Sequence, residues 1–424
     1  MNTITAVCAS PPLPNPGMAS VDLALYFFLR RNNLLKDANF VYFYSPLERN
    51  PELTADKLKQ FNSWHNLPFE YTSFRDKLDE VYNSKLILYW GDFLHSRDYL
   101  YSVFQIYKQI SPSCTNEEVL KSIYKHFYLN GAPDNVFKKC ILFGGTLLFN
   151  KERDYGDEQY SKNLYQLLRQ SRNVWFRDVY SALKFKKVCT NRKSYGLGVD
   201  AALLLRKEDT NQLITTISEK VDSTKKAGIF FGRSSGVCKE VGLFVQSLCK
   251  KHQVEGEWFP WFPPFVLPNF MSKMKEIFPE LILDLSNNKL TLGDLFKIIS
   301  GYELIITDTY HVCLTAWRLG IPAICIGETT SEEIMDISCG WKFAWRDKRQ
   351  VFYAMNDAME YFVFKEELMN DNLRNERIDY LVEMLGDISY ASKIASNICN
   401  YSRTIESQLL DEVSQVLSKT LTFA

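Results

Sequence analysis

Short, β-rich apolar runs alternate with longer segments of helical period along most of this chain, and that alternation limits the possible folds more than any other feature. A strand buried on both faces of a parallel sheet reads as an unbroken apolar run, and the crossover to its parallel neighbour takes a dozen or more residues, usually a helix. The first half offers TITAVCA, NFVYFYS, KLILYWG, KKCILFGG and NVWFR as strands, with VDAALLL as a sixth. Between them, SVDLALYFFLRRN and NEEVLKSIYKHFYLNG have helical period, the second capped at Thr115 or Asn116 and stopped at Gly131.

The polar stretch RKEDTNQLITTISEKVDSTKKA interrupts the pattern, which restarts at GIFFGRSSG. This places a domain boundary near residue 222, giving an N-terminal domain over 1–222 and a C-terminal one over 223–424. The second half supplies AGIFFGR, the aromatic EWFPWFPPF, ELILDLS, YELIITD and PAICIG as strands. Its helices are VCKEVGLFVQSLCKKH, TLGDLFKIISG and VCLTAWRLG. From about residue 351 the pattern is helical only, an extension that caps the second domain and leans back on the first. The fold class expected is therefore α/β, two Rossmann-like doubly wound domains facing a cleft, with a helical C-terminal extension. In such sheets ligands bind outside the carboxyl ends of the strands, so the polar residues that directly follow strands become the candidates.

Composition narrows the partners. The chain has 424 residues and is 46% hydrophobic, enough for two cores. Lysine plus arginine and aspartate plus glutamate number 50 each, so overall charge offers no attraction for nucleic acid or an anionic membrane. The opening stretch MNTITAVCASPPLPNPGMAS has no basic leader followed by a long apolar run, and no segment has the apolar length of a membrane span. The ten cysteines are scattered, with no CxxC pair and no Cys/His cluster of metal spacing. Reduced, packed cysteines and a cytoplasmic location are expected.

Four strand ends carry chemistry. After the first strand, Asn15 and Gly17 precede a helix whose N–H groups could face an anion. After the fourth, Gly144 and Gly145 let the backbone approach a ligand closely. The fifth leads into Arg177, Asp178 and Ser181, a segment that also reads as a capped helix with a local ion pair. In the second half Arg233, Ser234, Ser235 and Gly236 occupy a strand-to-helix turn suited to phosphate or carboxylate, without the spacing of a P-loop. His311 stands where YELIITD gives way to a helix, in the company of Asp308, Thr309 and Tyr310. A histidine there can donate to phosphate or serve as acid or base.

Four stretches in order, PNPGMASVD, ILFGGTLLF, NVWFRDVYSALKF and TDTYHVCLTAWRLGIPAICI, resemble segments of the polysaccharide pyruvyl transferase family and span residues 15 to about 326. The resemblance implies a GT-B-like fold and a transferase that moves the pyruvyl group of phosphoenolpyruvate onto two hydroxyls of a glycan sugar as a ketal, releasing phosphate. It implies no cofactor and no metal, with phosphoenolpyruvate itself as the donor substrate and a sugar or oligosaccharide acceptor, lipid-linked or free. His311 and Arg177 carry over as the catalytic pair. Asn15, Gly17, Gly144, Gly145, Thr309, Arg233, Ser234 and Ser235 are the donor-binding candidates, of which Arg233 and its two serines rest on their place at a strand end alone. Three departures stand out: Thr309 where the family has an arginine, Met18 where many members have an aspartate, and the acidic GETTSEE after the last strand. They keep two other readings open, a GT-B-type glycosyltransferase using a nucleotide sugar and a non-catalytic glycan-binding relative that stacks sugars on EWFPWFPPF.

Overall fold

A computed structural model of the chain describes residues 4–8, 15–42, 67–73, 77–91, 96–110, 112–150, 152–189, 195–213, 225–232, 237–262, 273–274, 276–278, 290–328, 334–336, 341–343 and 347–419. Two parallel sheets organise it. The first contains β1 (Ile4–Cys8), β2 (Ala38–Tyr42), β3 (Thr72–Ser73), β4 (Leu86–Trp90), β5 (Cys140–Gly145), β6 (Asn173–Phe176) and β7 (Tyr195–Leu197), in the order 3-2-1-4-5-6-7. The second contains β8 (Lys226–Phe230), β9 (Glu255–Trp258), β10 (Leu304–Thr307), β11 (Ala323–Gly327) and β14 (Phe362–Phe364), in the order 14-11-10-8-9. Between β11 and β14 a separate antiparallel pair forms from β12 (Ile334–Asp336) and β13 (Trp341–Phe343).

The unbroken apolar strands are explained by burial on both faces. In β1, Ile4, Ala6 and Cys8 enter one core cluster while Val7 enters another; in β4, Leu86, Leu88 and Trp90 separate from Ile87 and Tyr89 in the same way. The larger cluster runs on through Ile305 and Ile306 of the second sheet to Ile405 and Leu409 of the C-terminal helix, Ile388–Lys419. That helix reaches back to the first lobe, where the Tyr401 hydroxyl donates to the Leu197 carbonyl at 3.2 Å and Arg172 donates to Gln415 at 3.1 Å. Glu406 accepts from Arg31 of the first helix at 2.7 Å and from Arg206 at 2.9 Å, so one carboxylate ties three segments together. Glu406→Gln, which keeps the acceptor and loses the charge, is expected to cost about 1–2 kcal/mol in urea unfolding.

Some expectations are corrected. VDAALLL is no strand: Ala201–Leu204 forms a 3-10 helix because Asp200 caps it, accepting from the Ala202 N–H at 3.0 Å, and its apolar side chains are buried without a strand partner. The purely helical tail contains β14, which pairs in parallel with β11. EWFPWFPPF is described as far as Phe262, with its strand ending at Trp258; Trp258 and Phe259 are buried against Phe230 and Trp261 is buried too, so these three rings offered for sugar stacking belong to the core. The helix Asn116–Phe127 is capped by Thr115 in a capping box with Glu118, and Gly131, at φ +85°, lies beyond its end. ELILDLS, and the boundary placed at residue 222, fall outside the described residues.

Candidate functional site

Each sheet has one place where the strand order reverses. In the first it lies between β1 and β4, in the second between β8 and β10, and the crevice beyond the strand ends at such a point is the default binding place of doubly wound folds. Asn15 follows β1 and His311 follows β10. The two lobes bring these ends together: a Cβ built on Gly17 would lie 2.6 Å from Cδ2, 2.7 Å from Cγ and 2.9 Å from Cβ of His311. The imidazole thus packs flat on the one residue of the first helical turn that has no side chain to block it. Gly17→Ala must displace the ring, because the near atoms are the proximal part of the side chain. It is expected to shift the His311 imidazole NMR signal with little change in thermal unfolding.

Local sequence explains both turns. The helix Pro16–Arg31 starts with Asn15 as cap and proline in its first turn, and ends with Arg30 and Arg31 at the negative end of its dipole. Asn15 Oδ1 accepts from the N–H groups of Gly17 and Met18 at 3.0 and 3.4 Å, and its carbonyl takes the Ala19 N–H at 3.0 Å. Those donors are engaged in capping, so the anion-facing N–H groups read from the sequence are already bonded. The helix Tyr310–Leu319 begins after Thr309 and ends at Gly320, whose φ of +85° and following proline stop it. Asp308 anchors the turn: its Oδ1 accepts from the Gly232 N–H at 2.6 Å and the Thr309 hydroxyl at 2.9 Å, joining the ends of β8 and β10. Arg349 donates to the carbonyls of Asp308 at 2.7 Å and Ile326 at 3.1 Å while paired with Asp347, holding a third strand end in register.

The remaining candidates divide. Gly144 has φ +81°, a left-handed conformation that favours glycine, and a Cβ there would stand in ordinary contact with Ala201 at 3.4 Å and the Gly91 backbone at 3.6 Å. Gly145 accepts the Arg177 N–H at 3.0 Å within the sheet edge. Gly144 thus serves the backbone's left-handed turn, and the Gly145 carbonyl is engaged within the sheet. Asp178 caps the helix Val179–Val188, accepting from the Ser181 N–H and hydroxyl at 2.7 Å each and from the Thr146 hydroxyl at 2.6 Å, as the capped-helix reading expects. Arg177 pairs with Asp200 at 3.1 Å, both side chains almost wholly buried, and its guanidinium lies over the Tyr310 ring at 5.2 Å. Arg233, Ser234 and Ser235 lie outside the described residues, as does GETTSEE beyond Glu328.

Two contributors, Asp200 and Lys348, carried no signal in the sequence, and Tyr310 stood out only as a neighbour of His311. Asp200, Lys348 and the ring of Tyr310 meet with Arg177 along a cavity of about 40 Å³ between the lobes, room for about three waters. Asp22, one turn further along the first helix, is buried and accepts from the Tyr71 hydroxyl at 2.5 Å. Burial pushes its carboxyl up to about 7, against the opposing hydrogen bonds of Tyr71 and Cys8, and burial and the Asp22 charge raise the Cys8 thiol in turn. Among the described residues no group of three or more His, Cys, Asp or Glu side chains is placed to hold a metal ion, and no helix is long and apolar enough to cross a membrane.

Two parallel sheets facing each other through their switch points, with a terminal helix crossing back, define a GT-B-like fold. Among solved structures, the MnaA protein of S. aureus in a co-structure with UDP is 10% identical with a TM-score of 0.53, covering 99% of this chain and 97% of its own. Trehalose-6-phosphate synthase OtsA is 10% identical with a TM-score of 0.52, covering 97% and 99%. A Listeria monocytogenes protein described as a UDP-N-acetylglucosamine 2-epimerase is 12% identical with a TM-score of 0.51, covering 96% and 94%. At such identities the likeness is one of fold. No curated protein matches the chain at a significant level. The chain belongs to the polysaccharide pyruvyl transferase family, whose model matches residues 32–330. The match includes His311, Arg177, Thr309, Gly144 and Gly145 and begins after Asn15 and Gly17.

Proposed function

We propose that this family member transfers the pyruvyl group of phosphoenolpyruvate to two hydroxyls of a glycan sugar. The observation that carries the reading is the place of His311: a half-buried imidazole at the second sheet's switch point, seated on the first turn of the helix that leaves the first sheet's switch point. The reaction needs a proton delivered to the methylene carbon of the donor, which becomes the methyl group and leaves an electron-poor C2. One sugar hydroxyl adds to C2 and loses its proton. The C2–O bond to phosphate then breaks, phosphate departs with the bonding pair, and the second hydroxyl closes the ketal. One hydroxyl proton replaces that used at the methyl group and the other leaves with phosphate, so the balance closes without a redox partner. In this reading His311 delivers the first proton or protonates the leaving phosphate.

A nucleotide-sugar donor is the second reading, favoured by Thr309, whose hydroxyl is spent on Asp308 and supplies no cation for a phosphoenolpyruvate carboxylate. The test offers the protein phosphoenolpyruvate or a panel of uridine and guanosine diphosphate sugars, each with a set of glycan acceptors. Inorganic phosphate released only with phosphoenolpyruvate and acceptor together supports the proposal; nucleoside diphosphate release in its place supports the second reading and overturns the first.

A further inference from the structure

Arg177 carries over from the family as one half of a catalytic pair, yet its surroundings here are those of a buried support. Its side chain is 3% exposed and its partner Asp200 is 5% exposed. The guanidinium faces the Tyr310 ring from the first lobe at 5.2 Å, and Lys348 lies over the same ring from the second lobe at 4.7 Å. Tyr310 is itself 6% exposed, with Phe352 at 6.1 Å edge to face. Its ring meets that of His311 at 5.2 Å and 72°. A chain of contacts thus runs Asp200, Arg177, Tyr310, His311, and it crosses from one lobe to the other at the second link, Arg177 to Tyr310. Arg177, Asp200, Tyr310 and Lys348 line one small cavity along this chain.

We propose that Arg177 is a positioning residue: oriented by Asp200, it holds the Tyr310 ring by a cation–π contact across the lobe interface, and Tyr310 in turn sets the imidazole of His311. The proposal rests on the reading of His311 as the acid and deepens it. Its physical logic is that two cations on one ring are tolerated because Asp200 neutralises the inner one, while burial keeps the cation–π attraction strong. Tyr310 and His311 are adjacent at the start of one helix, so tilting the first ring moves the second. Asp200 also caps the 3-10 helix that packs behind it, which couples the guanidinium to the segment leading out of the first lobe.

The variants are Tyr310→Leu, Tyr310→Phe, and the pair Arg177→Met with Asp200→Asn. The pair removes both charges together, keeps the cap acceptor and leaves no buried charge alone. Phosphate release from phosphoenolpyruvate with an acceptor should show kcat lowered about tenfold or more in Tyr310→Leu and in the pair variant, KM for phosphoenolpyruvate within about twofold, and Tyr310→Phe close to the parent. The combination of Tyr310→Leu with the pair should be no worse than either alone, because both act through one ring. A tenfold rise in KM in the pair variant with kcat held, or a silent Tyr310→Leu, would mean that Arg177 grips the donor and would overturn the proposal. Tyr310→Leu leaves the ion pair intact and so keeps the test open if the pair variant does not fold. The second readout needs no turnover: in protein labelled at histidine, the His311 imidazole signal, assigned through His311→Gln, should shift in the pair variant, where the Tyr310 ring is still present. An unmoved signal overturns the positioning role whatever the donor turns out to be. Failure of phosphoenolpyruvate turnover in the parent protein, with the signal shifted, would instead count against the proposed reaction alone.

Discussion

His311→Ala is expected to lower kcat for phosphate release from phosphoenolpyruvate by about two to four orders of magnitude, the usual worth of a positioned acid or base. Stability should change by less than about 1 kcal/mol, because the ring is half-buried. Affinity for phosphoenolpyruvate should fall much less than kcat if the histidine acts on the proton, and in parallel with kcat if it only holds phosphate. Single-turnover measurements with saturating donor separate the two. A variant that retains more than about a tenth of parent turnover would remove His311 from the chemistry.

The second large effect concerns stability. Asp22 sits in the core with its carboxyl raised from the ordinary 3.8 to about 7 by burial, facing Tyr71 before β3 and Cys8 at the end of β1. Between those two values the unfolded chain has released the Asp22 proton while the folded chain still holds it. Folding is therefore weakened progressively as pH rises from about 4 to about 7, by roughly 4 kcal/mol in all, and the loss is complete above that window. An asparagine side chain has no such titration, so Asp22→Asn should match the parent near pH 4 and gain steadily on it, by about 3 kcal/mol between pH 5 and pH 8 in urea unfolding. The amide can keep the bond from Tyr71 through its oxygen and turn its nitrogen to the Cys8 sulfur. A difference between variant and parent that is the same at both pH values would show that Asp22 does not carry its proton in the folded state.

Much of the architecture was legible because burial on both faces forces continuous apolar strands. ITAVC, LILYW, CILFGG, LIIT and AICIG are all such strands. His311 was legible for the same reason: a histidine between a buried strand and a helix has few other places to point. What was not legible depends on contacts between distant segments. The β14 triplet FVF is a strand only because β11 lies beside it, and AALL winds into a 3-10 helix because Asp200 caps it and the C-terminal helix covers it. The aromatic stretch after β8 reads equally as a sugar platform or as core, and the deciding fact is the packing of Phe230 against Trp258 and Phe259. Arg177 does follow β6 at the strand end, but its engagement with Asp200 and Tyr310 belongs to the lobe interface. Asp22 lies in SVDLALYFF, where periodicity alone cannot tell a solvated carboxyl from a buried one.

The central claim is pyruvyl transfer with the donor methylene protonated in the site. Its most direct test is to incubate the protein with phosphoenolpyruvate and a panel of glycan acceptors in deuterium oxide and to read the product by NMR. The account predicts a ketal methyl group carrying one deuterium, formed in step with inorganic phosphate and lost in His311→Ala. A panel that yields no ketal signal, with nucleoside diphosphate appearing only when nucleotide sugars are supplied, would contradict it.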